Sequence, residues 1–130
     1  MVFSGFRAVM GGRSSKQAGD AFEETALRHL QQAGLRLLVR NYRTPGRGGG
    51  EIDLIMQDAD CTLVFVEVRA RHVPAHGGAA ASIGALKRRR IVFAARHYLA
   101  RCRVPLPCRF DVVVFDGGAL DWLRAAFDAD

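Results

Sequence analysis

The chain lacks any run of about 20 apolar residues, so nothing in it is expected to span a membrane. Cysteine is scarce: Cys61, Cys102 and Cys108 are odd in number, form no Cys-x-x-Cys and match no zinc spacing. They read as reduced thiols of a cytoplasmic protein. No internal repeat or low-complexity segment is present. Met1 to Lys16 holds Gly, Ser and Arg but no apolar stretch of signal-peptide length. Residues 1–18 therefore read as a flexible basic arm and 19–130 as a single domain. Acids are also in deficit. With 13 Asp and Glu against 19 Lys and Arg, the formal net charge is +6 and the pI about 10. Such a balance favours an anionic partner, nucleic acid above all. What remains, 130 residues that are 49% hydrophobic and 25% charged, is enough for one globular core.

Taken in order, the pattern predicts a first helix over Gly19 to Ala33, capped by Asp20 and stopped by Gly34. Phe22, Ala26, Leu27, Leu30 and Ala33 form its apolar stripe. Glu23 falls within that stripe and Glu24 outside it. Glu23 is thus either an acid aimed at the core or one turned to the positive helix terminus. Leu35 to Tyr42 reads as a strand. Arg43 to Gly50 is a loop whose arginines, Arg43 and Arg47, suit phosphate contacts. Its glycines resemble a phosphate loop only weakly, because no Gly-Lys-Ser/Thr follows and the chain continues into a strand.

The stretch from Gly48 to Arg71 organises the rest. Two apolar runs, Ile52 to Met56 and Leu63 to Val68, carry Asp53 and Glu67 where a buried strand should be apolar. Between them Gln57-Asp58-Ala59-Asp60 is polar enough to turn a hairpin without an Asn-Gly pair. Alternation places Glu51, Asp53 and Ile55 on one face, and Leu63, Phe65, Glu67, Arg69 and Arg71 on one face of the next strand. In a hairpin Asp53 and Glu67 then lie side by side. A buried carboxylate needs a metal, a cation or hydrogen bonds. A structural pair of Glu67 with an arginine and a metal site both meet that need, and the spacing leaves both open.

His72 and His76 are four apart, but Pro74 and the glycines after them argue for a loop rather than a helical zinc pair. A second helix is predicted over Ile83 to Arg101 with Ser82 as cap. Ile91, Ala94, Ala95 and Tyr98 form its inner face, with Lys87 in line and Arg88 and Arg89 pointing elsewhere. The run Lys87 to Arg90 opens this helix, where the dipole disfavours cations, and an anionic ligand would relieve the conflict. Arg103 to Cys108 is a loop. Arg109 to Phe115 reads as an internal strand interrupted by Asp111, best read as a structural salt bridge. Asp116-Gly117-Gly118 turns the chain, and Ala119 to Phe127 adds an amphipathic tail. The order helix, strand, strand, strand, helix, strand predicts an α/β fold with a mixed central sheet covered by helices.

The joint pattern Gly19-x-x-x-Glu23-x-x-Ala26, Asn41-Tyr-Arg, Gly50-Glu-Ile-Asp-Leu-Ile, Val64-Phe-Val-Glu-Val-Arg-Ala-Arg71, Lys87 and Cys108-Arg-Phe-Asp-Val-Val-Val resembles the bacterial YraN family of uncharacterised proteins from Gly19 to Phe127. That family in turn is similar to the restriction-endonuclease-like superfamily and to the Holliday junction resolvases of archaea. The resemblance implies a restriction-endonuclease-like core, α-β-β-β-α-β. It puts Asp53 and Glu67 in the superfamily's metal motif, Glu23 in its helix acid and the Val68 carbonyl among the ligands. Arg69 stands where that motif usually has Lys. Arginine is a poor general base, so activation of water would fall to the metal, while Arg69 positions the phosphate and stabilises its charge.

The implied function is Mg2+- or Mn2+-dependent hydrolysis of DNA, branched DNA included, or of RNA. Asp53, Glu67 and Arg69 are its catalytic residues. Arg43, Arg47, Arg71, Lys87, Arg88 and Arg89 are its nucleic-acid contacts, and a homodimer is its oligomer. Two other readings compete: a nucleic-acid-binding module with a degenerate site, and a scaffold for other proteins.

Overall fold

The computed structural model describes residues 15–71 and 83–129. His72, Pro74, His76, Ser82 and the N-terminal segment before Ser15 lie outside the described residues. Helix α1 (Ser15–Gln32) is followed by strands β1 (Arg36–Arg43), β2 (Glu51–Gln57) and β3 (Leu63–Arg71). Helix α2 (Ala85–Leu99) and strands β4 (Cys108–Asp116) and β5 (Ala119–Phe127) complete the chain. The five strands form one mixed sheet in sequence order, with β3 and β4 parallel and every other neighbour antiparallel. Among the described residues, no helix is long and apolar enough to cross a membrane.

The two helices serve separate cores. Ala26, Leu27 and Leu30 of α1 pack on Leu54, Met56, Val64, Val66, Val113 and Phe115. Ile91, Val92, Ala94 and Ala95 of α2 pack on Ile52, Ile55, Leu63, Phe65 and Phe110. Each such Leu, Ile, Val or Phe contributes about 1.5–3 kcal/mol when fully buried. Because β3 carries Val64 and Val66 to one core and Leu63 and Phe65 to the other, it is apolar without interruption up to Glu67.

Several expected boundaries shift. Helix α1 begins at Ser15, so residues 15–18 are helical rather than part of an arm. Asp20 is therefore not a cap; it lies inside the helix, 3.1 Å from the Lys16 ammonium. Ala33 lies beyond the helix and is exposed. Helix α2 is shorter than the apolar pattern predicts. It starts after Gly84, which offers no side-chain cap, and ends at Leu99.

The expected tail is the edge strand β5. Gly117 and Gly118 have φ of 61° and 91°, which suits a two-residue hairpin and pairs Asp116 with Ala119. Alternation along β1 and β2 also breaks. Asn41 has φ of 54°, so Arg40 reaches the acids of α1 while Tyr42 packs on His97 and Tyr98 of α2. Their partners follow: Leu54 joins the α1 core and Ile52 the α2 core. Glu51, Asp53 and Ile55 thus do not share a simple face, and Asp53 sits at the crossover.

Asp111 is fully buried and saturated. It accepts from Arg109 Nε at 3.1 and 3.2 Å, from Trp122 Nε1 at 2.9 Å and from the Ala125 amide at 2.9 Å. Arg109 also holds Asp58 at 3.1 Å. The aspartate fills the irregularity where the β4–β5 register shifts between Phe110 and Val112. Removing it leaves an indole N–H and an amide without their acceptor and the half-buried Arg109 with Asp58 alone. Asp111→Ala should lower unfolding free energy by about 3–5 kcal/mol in urea titration; a loss below about 1 kcal/mol would place the strain elsewhere.

Candidate active site

The acids meet where the β2–β3 ladder gives out. Paired residues run from Gln57↔Leu63 to Leu54↔Val66, and one further step sets Asp53 opposite Glu67. There the Val68 amide donates to Asp53 Oδ2 at 2.8 Å, so a side chain replaces the main-chain acceptor. Glu67, 7% exposed, approaches Asp53 from β3 and Glu23 approaches it from α1. Glu24 turns away to Arg40 at 2.8 Å and Arg28 at 3.3 Å. Since α1 begins at Ser15, Glu23 lies too far along to be held by the helix N-terminus.

Two cations enter the cluster. Lys87 Nζ is 3.3 Å from Glu67 Oε2, and Arg40 Nε is 3.8 Å from Glu23 Oε1. They do not neutralise it. Glu67 Oε1 and Glu23 Oε1 are buried without a hydrogen bond. Burial first, then the charge of Asp53, pushes the Glu67 carboxyl up to about 8 against the opposing pull of Lys87. The same two causes push Glu23 up to about 7, with Arg40 opposing. At neutral pH the cluster therefore holds protons that a bound cation would displace.

As placed, no three His, Cys, Asp or Glu side chains among the described residues form a ready cage for a metal ion. The donor set still fits a hard divalent cation. Mg2+ keeps most of its waters and takes one or two carboxylates, and Asp53 and Glu67 supply two, with orphaned oxygen beside them. Val68 enters the site through its amide, which orients Asp53.

Two openings flank this region, and acids of the cluster line only the first. One, about 320 Å3, is lined by Lys16, Asp20, Glu23, Asn41, Arg43 and Asp53. The other, about 220 Å3, lies between the Gly46–Gly50 loop and the first turns of α2, with Lys87 and Arg90 on its wall. A Cβ at Gly50 would collide with the Arg90 carbonyl, so the glycine lets this loop rest directly on the helix.

The family model described as "Uncharacterised protein family UPF0102" matches residues 22–115. The chain belongs to that family. Curated UPF0102 proteins from Albidiferax ferrireducens and Paracidovorax citrulli are 72% and 70% identical over 116 residues. The matches cover 89% of this chain and 91% and 86% of those relatives. A UPF0102 protein of an Acidovorax species is 63% identical over 117 residues, covering 90% of this chain and 89% of its own. The resemblance seen in the sequence thus leads to a family whose activity is uncharacterised.

In this UPF0102 chain the expected contact residues divide. Arg43 is exposed and pairs with Glu51 at 3.5 Å, Arg47 is exposed in the glycine loop, and Arg88 and Arg89 are exposed on α2. Arg69 and Arg71 are half-buried on β3, beyond Glu67. Lys87 departs from the outer basic surface and joins the acids. Its alignment with Ile91, Ala94 and Tyr98 was the sequence signal for that. The sequence gives no sign of Arg40 at the acids or of the backbone reversal at Asn41, because an exposed-looking strand cation and a local backbone sign carry no periodic signature.

The raised carboxyls have a consequence for stability. Both groups bind protons more tightly folded than unfolded, so their contribution is complete below the ordinary value of 4.5 and is lost as pH rises towards 7 and 8. In metal-free buffer the melting temperature should fall between about pH 5 and pH 8. Glu67→Gln should flatten that fall, and a wild-type profile that rises over the same interval would contradict the geometry of the cluster.

Proposed function

We propose that this protein is a metal-dependent nuclease built on a restriction-endonuclease-like core, acting on DNA in the first place and with RNA as the other candidate substrate. One observation carries the reading. Asp53 links Glu23 of α1 to Glu67 of β3, and Glu23 and Glu67 each leave one buried carboxylate oxygen without a hydrogen bond. A structural cluster would be expected to compensate its charges, as Asp111 does. Carboxyls pushed well above their ordinary range by burial and by a neighbouring carboxylate, beside a cleft, are a feature of catalytic sites.

In this reading Asp53 and Glu67 hold Mg2+ or Mn2+, which when bound supplies positive charge to polarise the phosphate and acidify water. The Val68 amide fixes the Asp53 carboxylate, and Glu23 orders the outer side of the site. Lys87 steadies Glu67 and, being 42% exposed at its side chain, also reaches the surface where a phosphate would arrive. Arg69 stabilises charge developing on the scissile phosphate. An arginine is no general base for the attacking water. Arg43, Arg47, Arg71, Arg88 and Arg89 neutralise flanking phosphates.

A binding module with a degenerate site is the second reading, favoured by Arg69 itself and by the want of a ready three-ligand cage among the described residues.

A cleavage panel of single-stranded, duplex and branched DNA and RNA with Mg2+ or Mn2+ separates the two. Cleavage should vanish in Asp53→Asn. Arg69→Lys should match or exceed wild type, and Arg69→Ala should lose rate by about 10²-fold with binding little changed. No cleavage of any substrate, even in Arg69→Lys, would end the nuclease reading.

A further inference from the structure

The outer face of α2 has a composition that the acid cluster does not explain. At about 100° per residue, Leu86, Arg89, Phe93 and Arg96 fall on the side opposite the buried Ile91, Ala94 and Ala95. Phe93 is 53% exposed and Leu86 is 62% exposed. The helix sequence contains no acid at all. Arg88, Arg89 and Arg96 line a groove of about 560 Å3 around Phe93, whose far wall is Asp128 and Ala129. Phe93 and Leu86, set among arginines, are too small an apolar surface for a stable protein interface. It has the composition of a base-stacking platform, with cations for the backbone and a π-face that accepts any base.

We propose that Phe93 is a stacking platform for an unpaired base, making α2 a site for single-stranded or frayed nucleic acid. Six positions separate Phe93 from Lys87, about 9 Å along the helix axis. Arg90 lies between them around the helix and also lines the opening beside Lys87. A strand passing over Arg90 would connect the platform to the acid cluster, so the substrate carries unpaired nucleotides next to the phosphate under attack. Charge complementarity favours this occupant over a second copy of the chain, which would bring the same arginines against themselves.

The proposal rests on the nuclease reading only for the class of ligand, and its test needs no cleavage. A labelled oligothymidine and a blunt duplex with the same number of phosphates are titrated by fluorescence anisotropy in EDTA. Phe93→Ala should weaken oligothymidine binding about tenfold and leave the duplex unchanged. Phe93→Trp should keep or tighten oligothymidine binding. Arg89→Ala with Arg96→Ala should weaken both ligands and flatten the salt dependence. Because Phe93 is exposed, the melting temperature of Phe93→Ala should match wild type. Equal loss on both ligands, no loss, or no binding of oligothymidine would overturn the platform. So would a Phe93→Ala protein whose only change is dissociation of a dimer. A cleaving enzyme indifferent to Phe93 would retain the nuclease reading and remove this one; an inert protein with Phe93-dependent single-strand binding would do the reverse.

Discussion

The hydrogen bond from the Val68 amide to Asp53 Oδ2 is the contact on which the site depends. It forms where the β2–β3 pairing stops and where Asn41, one strand further out, reverses the side-chain alternation. Freed from a simple face, Asp53 meets an acid from the α1 layer and an acid from the α2 side of the sheet together. Asp53 is thus the link between Glu23 on the α1 side of the sheet and Glu67 on the α2 side. The left-handed backbone at Asn41 is one that asparagine adopts more readily than most residues.

Asp111 gives a control within the same fold. It too accepts a backbone amide where a ladder is irregular, but a guanidinium and an indole complete its shell. Asp53 has acids for neighbours instead. The contrast separates an aspartate that stabilises from one whose surroundings cost stability. The cost is borne by two large helix–sheet cores, so a locally unfavourable cluster is compatible with a stable fold.

Much of this was legible in the sequence because it follows from periodicity. The stripe of α1 singles out Glu23 over Glu24, the inner face of α2 includes Lys87, and the hairpin brings Asp53 to Glu67. Strand β5 was not legible. Ala119-Leu-Asp-Trp-Leu-Arg-Ala-Ala-Phe127 contains no β-branched residue, and its strand is imposed by pairing with β4, the Gly117-Gly118 turn and the Trp122 and Ala125 bonds to Asp111. The start of α1 was missed because Asp20 reads equally well as a cap and as an i,i+4 partner of Lys16. The crossover at Asn41 was missed because strict alternation is the default for any strand, and only tertiary packing overrides it.

The central claim is that the acid cluster is a cation site kept partly protonated until it is filled. Calorimetric titration with Mn2+ at pH 7.5, repeated in buffers of different ionisation enthalpy, measures both binding and proton release. The account predicts saturable binding with release of about one proton per site, because Glu23 and Glu67 are held near 7 and 8. Binding should be abolished in Asp53→Asn and should lose most of its proton release in Glu67→Gln. No heat of binding at millimolar Mn2+, or binding that is unchanged in Asp53→Asn, would contradict it.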